Sequence, residues 1–374
     1  MYKIYFKNKK RKKMQIGIIG LPYSGKTTFF QTVSEQEIDP MQLQKKEIFE
    51  AVIKVPDERL DYFTDVFNPK KKVNATLTII DYSIMQKSEQ QNSIFPTAFL
   101  SKIRLNDALI LVVRGFNDDS IPHIKDSINI FRDIQILEDE LLFSDTFFVE
   151  NRLEKIEKEL MRQKVKDQLI KEKEIMVKWQ GYLQDSKPLS DFEHNEEEIK
   201  LIKNYQMLTA KPLLIAVNLD ESDIEKSEQI ISEIRNKIIR QNVRIEPFFA
   251  KIEMELMQLA PEEKLELMAE YGLNESALHR LIRSAYDVLG VQSFFTVGED
   301  ECRAWTIKKG MNAQESAGTI HTDFFNKFIR AEVVGYKDFV DCGSFPKCKE
   351  KGVFRLEGKE YIPKDGDILH IRHS

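Results

Sequence analysis

The stretch Gly20-Leu21-Pro22-Tyr23-Ser24-Gly25-Lys26-Thr27 constrains this chain more than any other. It fits Gly-x-x-x-x-Gly-Lys-[Ser/Thr] in full. A short apolar run rich in β-branched residues, 16–20, precedes it, and a helical pattern begins at Thr27. A strand, a glycine-bounded turn and a helix in that order make a phosphate-binding loop. Gly20 and Gly25 permit backbone conformations that turn successive N–H groups toward phosphate oxygens. The helix N-terminus adds the positive end of its dipole. Lys26 supplies an ammonium for the β- and γ-phosphates, and the Thr27 hydroxyl is a ligand for Mg²⁺. Tyr23, Ser24 and Thr28 complete the expected nucleotide-binding set. The competing reading is a glycine turn with a chance Lys-Thr, and the flanking strand and helix weigh against it.

Further buried strands follow at 77–81, 107–113, 212–218 and 245–249, separated by helical stretches. That alternation reads as a parallel, doubly wound sheet. Asp81 closes the second strand, where the second metal-orienting carboxylate of such a site belongs. Residues 124–207 interrupt the pattern. They are dense in Glu, Lys, Leu and Ile, with apolar residues at helical spacing, and they read as a long helical hairpin whose turn lies near Gly181 and Pro188. Two more helices are expected over 262–288. From Gly290 on, short strands and glycine turns predict a small α+β module with one helix around 313–320. The expected domains are therefore 14–123 and 208–289 for nucleotide binding, 124–207 for the inserted hairpin, and 290–374 for the C-terminal module.

Composition excludes several other classes. With 374 residues, 42% hydrophobic and 31% charged, the chain has the balance of a globular protein of two or three domains. The net charge of -5 does not announce a nucleic-acid partner, and DNA is not expected. No apolar run is long enough to span a bilayer, so no membrane role is expected. Cys302, Cys342 and Cys348 form no Cys-x-x-Cys pair and read as ordinary thiols of a cytoplasmic protein. The basic run 9–13 reads as a solvated extension ahead of the first strand.

Several segments resemble the YchF-type Obg-like ATPases. They are Gly17-Ile18-Ile19-Gly20-Leu21-Pro22 with its loop, Val55-Pro56-Asp57-Glu58-Arg59-Leu60-Asp61, and Phe99-Leu100-Ser101-Lys102-Ile103-Arg104. Val112-Val113-Arg114-Gly115-Phe116 and Ile252-Glu253-Met254-Glu255-Leu256 add to the likeness, as does Leu289-Gly290-Val291-Gln292-Ser293-Phe294-Phe295-Thr296. The densest match is C-terminal: Arg303-Ala304-Trp305-Thr306, His321-Thr322-Asp323-Phe324, and Phe328 to Val333. The resemblance implies a Ras-like P-loop NTPase domain, an inserted helical coiled-coil hairpin and a C-terminal TGS-like β-grasp domain. It also implies use of ATP, or of both ATP and GTP, and association with ribosomes or ribosomal RNA. A basic face for RNA would draw on Lys308, Lys309, Lys327, Arg330, Lys337, Lys347, Lys349 and Lys351.

The family's base-reading Asn-x-x-Glu corresponds to Asn218-Leu219-Asp220-Glu221. Leu219 replaces the Lys of Asn-Lys-x-Asp, and no guanine-reading Asp is present, so ATP is expected over GTP. Asn218 can equally close its strand while Asp220-Glu221 opens a helix. Ala250-Lys251 is expected to complete the base pocket, and His123 matches the family's catalytic His. Three departures bear on hydrolysis. Ile84 stands where Asp-x-x-Gly would place Gly, the segment 86–93 lacks glycine, and Lys45 stands where the family has a Mg²⁺-binding Thr. Phosphoryl transfer depends mainly on positioning and charge stabilisation, so these changes should impair turnover more than binding. The expectation is slow ATP hydrolysis. The alternatives are a non-hydrolysing ribosome-binding module with a structural nucleotide site, or a GTPase.

Overall fold

The computed structural model describes residues 14–36, 38, 48–82, 94–123, 125, 127–162, 167–238, 240, 242–273 and 275–374. Ile84, Lys45 and the segment 86–93 lie outside the described residues. The strands are β1 (Gln15–Ile19), β2 (Phe49–Lys54), β3 (Lys71–Val73), β4 (Thr76–Asp81), β5 (Ala108–Arg114), β6 (Leu213–Asn218), β7 (Val243–Phe248), β8 (Val291–Thr296), β9 (Glu301–Lys308), β10 (Phe328–Val334), β11 (Arg355–Glu357) and β12 (Ile368–His373). Two compact units result. One runs to Ala51 and resumes over Thr78–Leu281, and the other joins Val52–Leu77 to Ile282–Ser374.

In the first unit, the sheet order is β2-β4-β1-β5-β6-β7, and β1 pairs in parallel with both β4 and β5. β5, β6 and β7 continue the parallel run. Every residue of β5 and β6 is buried, the mark of strands covered on both faces. Their apolar side chains pack with Phe95, Phe99 and Ile103 of the segment ahead of β5 and with Ile231, Phe249 and Ile252 from segments downstream. The carboxyl ends of β1, β5 and β6 finish at Ile19, Arg114 and Asn218. Ligands of open parallel sheets bind at such ends.

The insertion is helical throughout its regular parts, with helices Ile130–Arg162 and Asp167–Gln184, then a third, Glu196–Tyr205. The turn expected near Gly181 falls elsewhere. Gly181 lies inside the second helix, which continues to Gln184, while the first helix ends at Arg162. One glycine costs a helix only about 1 kcal/mol, less than the packing around it contributes. That packing is a separate core of Val149, Leu153 and Ile156 against Met176, Trp179 and Leu183. At the root of the hairpin, buried Asp145 accepts from the Leu208 and Thr209 amides and pairs with Arg104 at 2.7 Å.

In the second unit, the sheet order is β11-β10-β12-β8-β9-β3. β8 and β9 form an antiparallel pair, and β12 runs antiparallel to β10 and parallel to β8. Helix Ala313–Ile320 lays Ala313 and Ala317 on Phe294, Trp305, Val333 and Leu369, the β-grasp arrangement of a mixed sheet holding one helix. Helices Thr322–Asn326, Tyr336–Cys342 and Phe345–Glu350 were not expected, and no strand forms at 361–362. Helix Glu58–Phe67 also belongs to this unit, with Phe63 edge-on to Phe295 and Phe339. The three cysteines are buried and free. Among the described residues, no helix is long and apolar enough to cross a membrane.

Candidate functional site

A pocket of about 870 Å³ opens at the carboxyl ends of the parallel strands. Four segments wall it: Pro22 to Thr28, Phe116 to Pro122, Asn218 to Glu221, and Phe249 to Ile252. Sequence motifs anticipated the first and third, and Ala250-Lys251 from the fourth.

The first wall is shaped by close backbone approach. A Cβ on Gly20 would sit 2.3 Å from the Val112 carbonyl oxygen, so no larger residue fits there. Gly25 is left-handed at φ +93°, and a Cβ there would meet Asn218 Nδ2 at 2.4 Å. Tyr23 is also left-handed, at φ 63°, with an exposed ring. Gly25 heads helix Lys26–Ser34, and no side chain caps it. The first amides of that helix are therefore donors for an anion. Lys26 is buried, and its Nζ donates to the carbonyl oxygens of Gly20 at 3.0 Å and Leu21 at 2.7 Å. Burial pushes its pKa down to about 8, and the Asp81 carboxylate pulls the other way. Ser24 Oγ is buried with no hydrogen-bond partner among the described residues.

Asn218 joins three walls. Its Nδ2 donates to the Ser24 carbonyl at 3.2 Å, and its Oδ1 accepts from the Ala250 amide at 3.1 Å. The side chain does more than close a strand, because it ties the glycine loop to the segment that starts at Ala250. Leu219 is buried, while Asp220 caps a short turn by accepting from the Ser222 amide and hydroxyl. Those bonds hold the Asp220 carboxyl below its usual range. The strand-end and turn-start readings of this motif therefore hold together. Glu221 accepts from Lys251 Nζ at 2.6 Å across the pocket mouth, and this bond raises the Lys251 pKa.

Asp81 and His123 occupy different ground. Asp81 is fully buried at the end of β4 and does not line the pocket. With Thr27 it offers hard oxygen donors, the ligand chemistry that suits Mg²⁺ shared with phosphate oxygens. His123 lies behind the phosphate loop, in a small cavity with Leu21, Pro22, Ser24, Arg114 and Asp133. Its Nε2 is 2.9 Å from buried Asp133, and its Nδ1 accepts from the Lys125 amide at 3.1 Å. Both ring nitrogens are engaged, with Nε2 as the donor to the carboxylate.

The second wall went unrecognised in the sequence, and so did its support. Arg114 ends β5 beside Asn218 and is 3% exposed. Its guanidinium donates to the carbonyl oxygens of Phe116, Asp118, Ile121 and Pro122 and lies over the Phe116 ring. A signal was present, since an arginine closing a wholly apolar buried strand has a costly charge to place.

A glycine loop between a parallel strand and an uncapped helix, with a strand-end Asn across from it, defines a P-loop nucleotide-binding fold. The YchF-GTPase_C family model, described as a protein of unknown function, matches residues 291–374. The chain is 38% identical over 362 residues to the "Ribosome-binding ATPase YchF" of Bacillus subtilis, covering 96% of this chain and 98% of that one. It is 35% identical over 376 residues to human "Obg-like ATPase 1", covering 96% and 92%. The solved structure of the Schizosaccharomyces pombe YchF GTPase superposes with a TM-score of 0.81 at 32% identity, covering 96% and 98%. The chain belongs to the YchF/Obg-like ATPase family.

Proposed function

We propose that this protein binds ATP with Mg²⁺ in the 870 Å³ pocket, hydrolyses it slowly and acts at the ribosome in the cytoplasm. One observation carries the reading: Asn218 ties the phosphate loop through Ser24 to the base-side loop through Ala250. Phosphate and base recognition are thereby held as one site. In this reading Gly20, Gly25 and the amides of residues 23–28 receive the phosphates, with Lys26 beside them. Thr27 and Asp81 hold Mg²⁺, whose charge would stabilise the phosphate oxygens. Asn218, Leu219 and Glu221 face the base. The absence of a guanine-reading Asp from Asn218-Leu219-Asp220-Glu221 supports ATP over GTP. The relatives' names, ribosome-binding ATPase and Obg-like ATPase, support the ribosomal setting and the nucleotide.

A second reading, a ribosome-binding module whose nucleotide is structural, is favoured by His123. Both its ring nitrogens are committed, to Asp133 and to the Lys125 amide. A His that activates water needs a free nitrogen within reach of it. Calorimetric titration with ATP–Mg²⁺ and GTP–Mg²⁺, followed by a phosphate-release assay, tests both readings. The expected result is tighter ATP binding with slow release of phosphate. Tighter GTP binding overturns the base assignment, and bound ATP that is never hydrolysed selects the second reading.

A further inference from the structure

We propose that Arg114 is a positioning residue that holds the Phe116 to Pro122 wall against the nucleoside end of a bound nucleotide. The inference rests on the reading that this pocket binds ATP. The wall has little core of its own. Asn117, Asp118, Asp119, Ser120 and Pro122 are exposed, and Phe116 and Ile121 are only half-buried. A segment so poor in buried apolar area needs another source of order. Arg114 supplies it with four hydrogen bonds to carbonyls of this one loop, at 3.1 to 3.2 Å, and a stack 4.6 Å from the Phe116 ring centre. At hydrogen-bond distance its buried guanidinium meets four carbonyls of this loop, and the exposed Asp118 carboxylate adds a longer-range attraction. The planar fork of a guanidinium spans several carbonyls at once, whereas a lysine ammonium is a point donor.

The loop's place in the sheet says which end of the ligand it meets. Arg114 and Asn218 are register partners on adjacent parallel strands. The Gly115 amide donates to the Asn218 carbonyl at 2.7 Å, and a Cβ on Gly115 would meet the Leu219 side chain at 2.7 Å. The wall therefore leaves the sheet beside the base-side loop and lines the same pocket as Leu219 to Glu221. Ordering such a wall before binding removes an entropic cost from the nucleoside contacts and leaves the phosphate contacts unaffected.

The test is calorimetry on the full chain with two probes, ATP–Mg²⁺ and inorganic tripolyphosphate–Mg²⁺, for the wild type and Arg114→Lys. Arg114→Lys should weaken ATP about tenfold and change tripolyphosphate less than about twofold. A merely structural role would weaken both probes alike. Hydrogen exchange on the wild type gives an independent arm that needs no variant. ATP should protect the amides of residues 116–121, and tripolyphosphate should not. Equal loss for both probes, no loss for ATP, or equal protection by the two probes overturns the inference while leaving the nucleotide site standing. A wild type that binds neither probe overturns the nucleotide reading and this inference together.

Discussion

In the C-terminal unit, Asp367 accepts from the Tyr361 hydroxyl at 2.6 Å and the Lys364 amide at 2.8 Å. Its neighbour Asp365 takes the Arg59 guanidinium and the Ser293 amide. In the glycine loop, Ser24 Oγ is buried with no partner among the described residues, and Lys26 places two of its N–H donors on main-chain carbonyls. An ammonium has three donors. The first cluster spends its bonding capacity on itself, and the second keeps some in reserve. Leaving a buried polar group unsatisfied costs about 1–3 kcal/mol. That cost is tolerable at a site whose ligand will supply the missing partner. A saturated cluster stabilises its unit, and an unsaturated one is built to receive something.

The sharpest way to break this contrast is Lys26→Ala. It should lower affinity for ATP–Mg²⁺ by about a hundredfold, from the loss of a charge-assisted contact to phosphate, with little change in thermal unfolding. Calorimetry and a melting curve check the two halves. Asp367→Ala should do the converse. It strands the Tyr361 hydroxyl and the Lys364 amide and should destabilise its unit by about 2–3 kcal/mol, with ATP affinity unchanged. Loss of ATP binding in that variant would erase the distinction between the clusters.

A smaller effect follows from the Lys26 pKa of about 8. Bound phosphate favours the charged amine, so below pH 8 the affinity should be flat. Above it the site must take up a proton to bind, and affinity should fall by at most about tenfold per pH unit. Stability runs the other way. The unfolded lysine holds its proton to about pH 10.4, so between pH 8 and that value this group makes the fold more stable as pH rises. Lys26→Arg should abolish the break in the binding profile. The smallest effect is expected from Lys251→Ala. The Glu221 to Lys251 pair is largely exposed at its lysine end, so the change should leave the melting temperature nearly unchanged. A larger loss of ATP affinity than of stability would show that the pair shapes the pocket mouth.

The parts of the site that a sequence reader can find are those whose conformation is fixed locally. Gly20, Gly25 and Lys26 announce themselves because glycine and a helix start must sit at fixed spacing around a phosphate. The wholly buried strands β5 and β6 are equally plain, since continuous apolar runs have few other uses. The wall from Phe116 to Pro122 is polar and irregular, and four of its carbonyls are held by one side chain that bonds only to main chain. Main-chain acceptors carry no residue identity, so the sequence does not record them. Gly181 misled for the opposite reason. It carries a strong local signal that long-range packing of Trp179 and Leu183 overrides.

The amide of Asn218 has a further consequence, for synthesis. Its two partners lie 194 residues before it and 32 residues after it in the chain. The phosphate loop is made early, yet its lock does not exist until Ala250 has left the ribosome and folded. The four-walled pocket, closed by Phe249 to Ile252, therefore exists only once most of the first unit has been made.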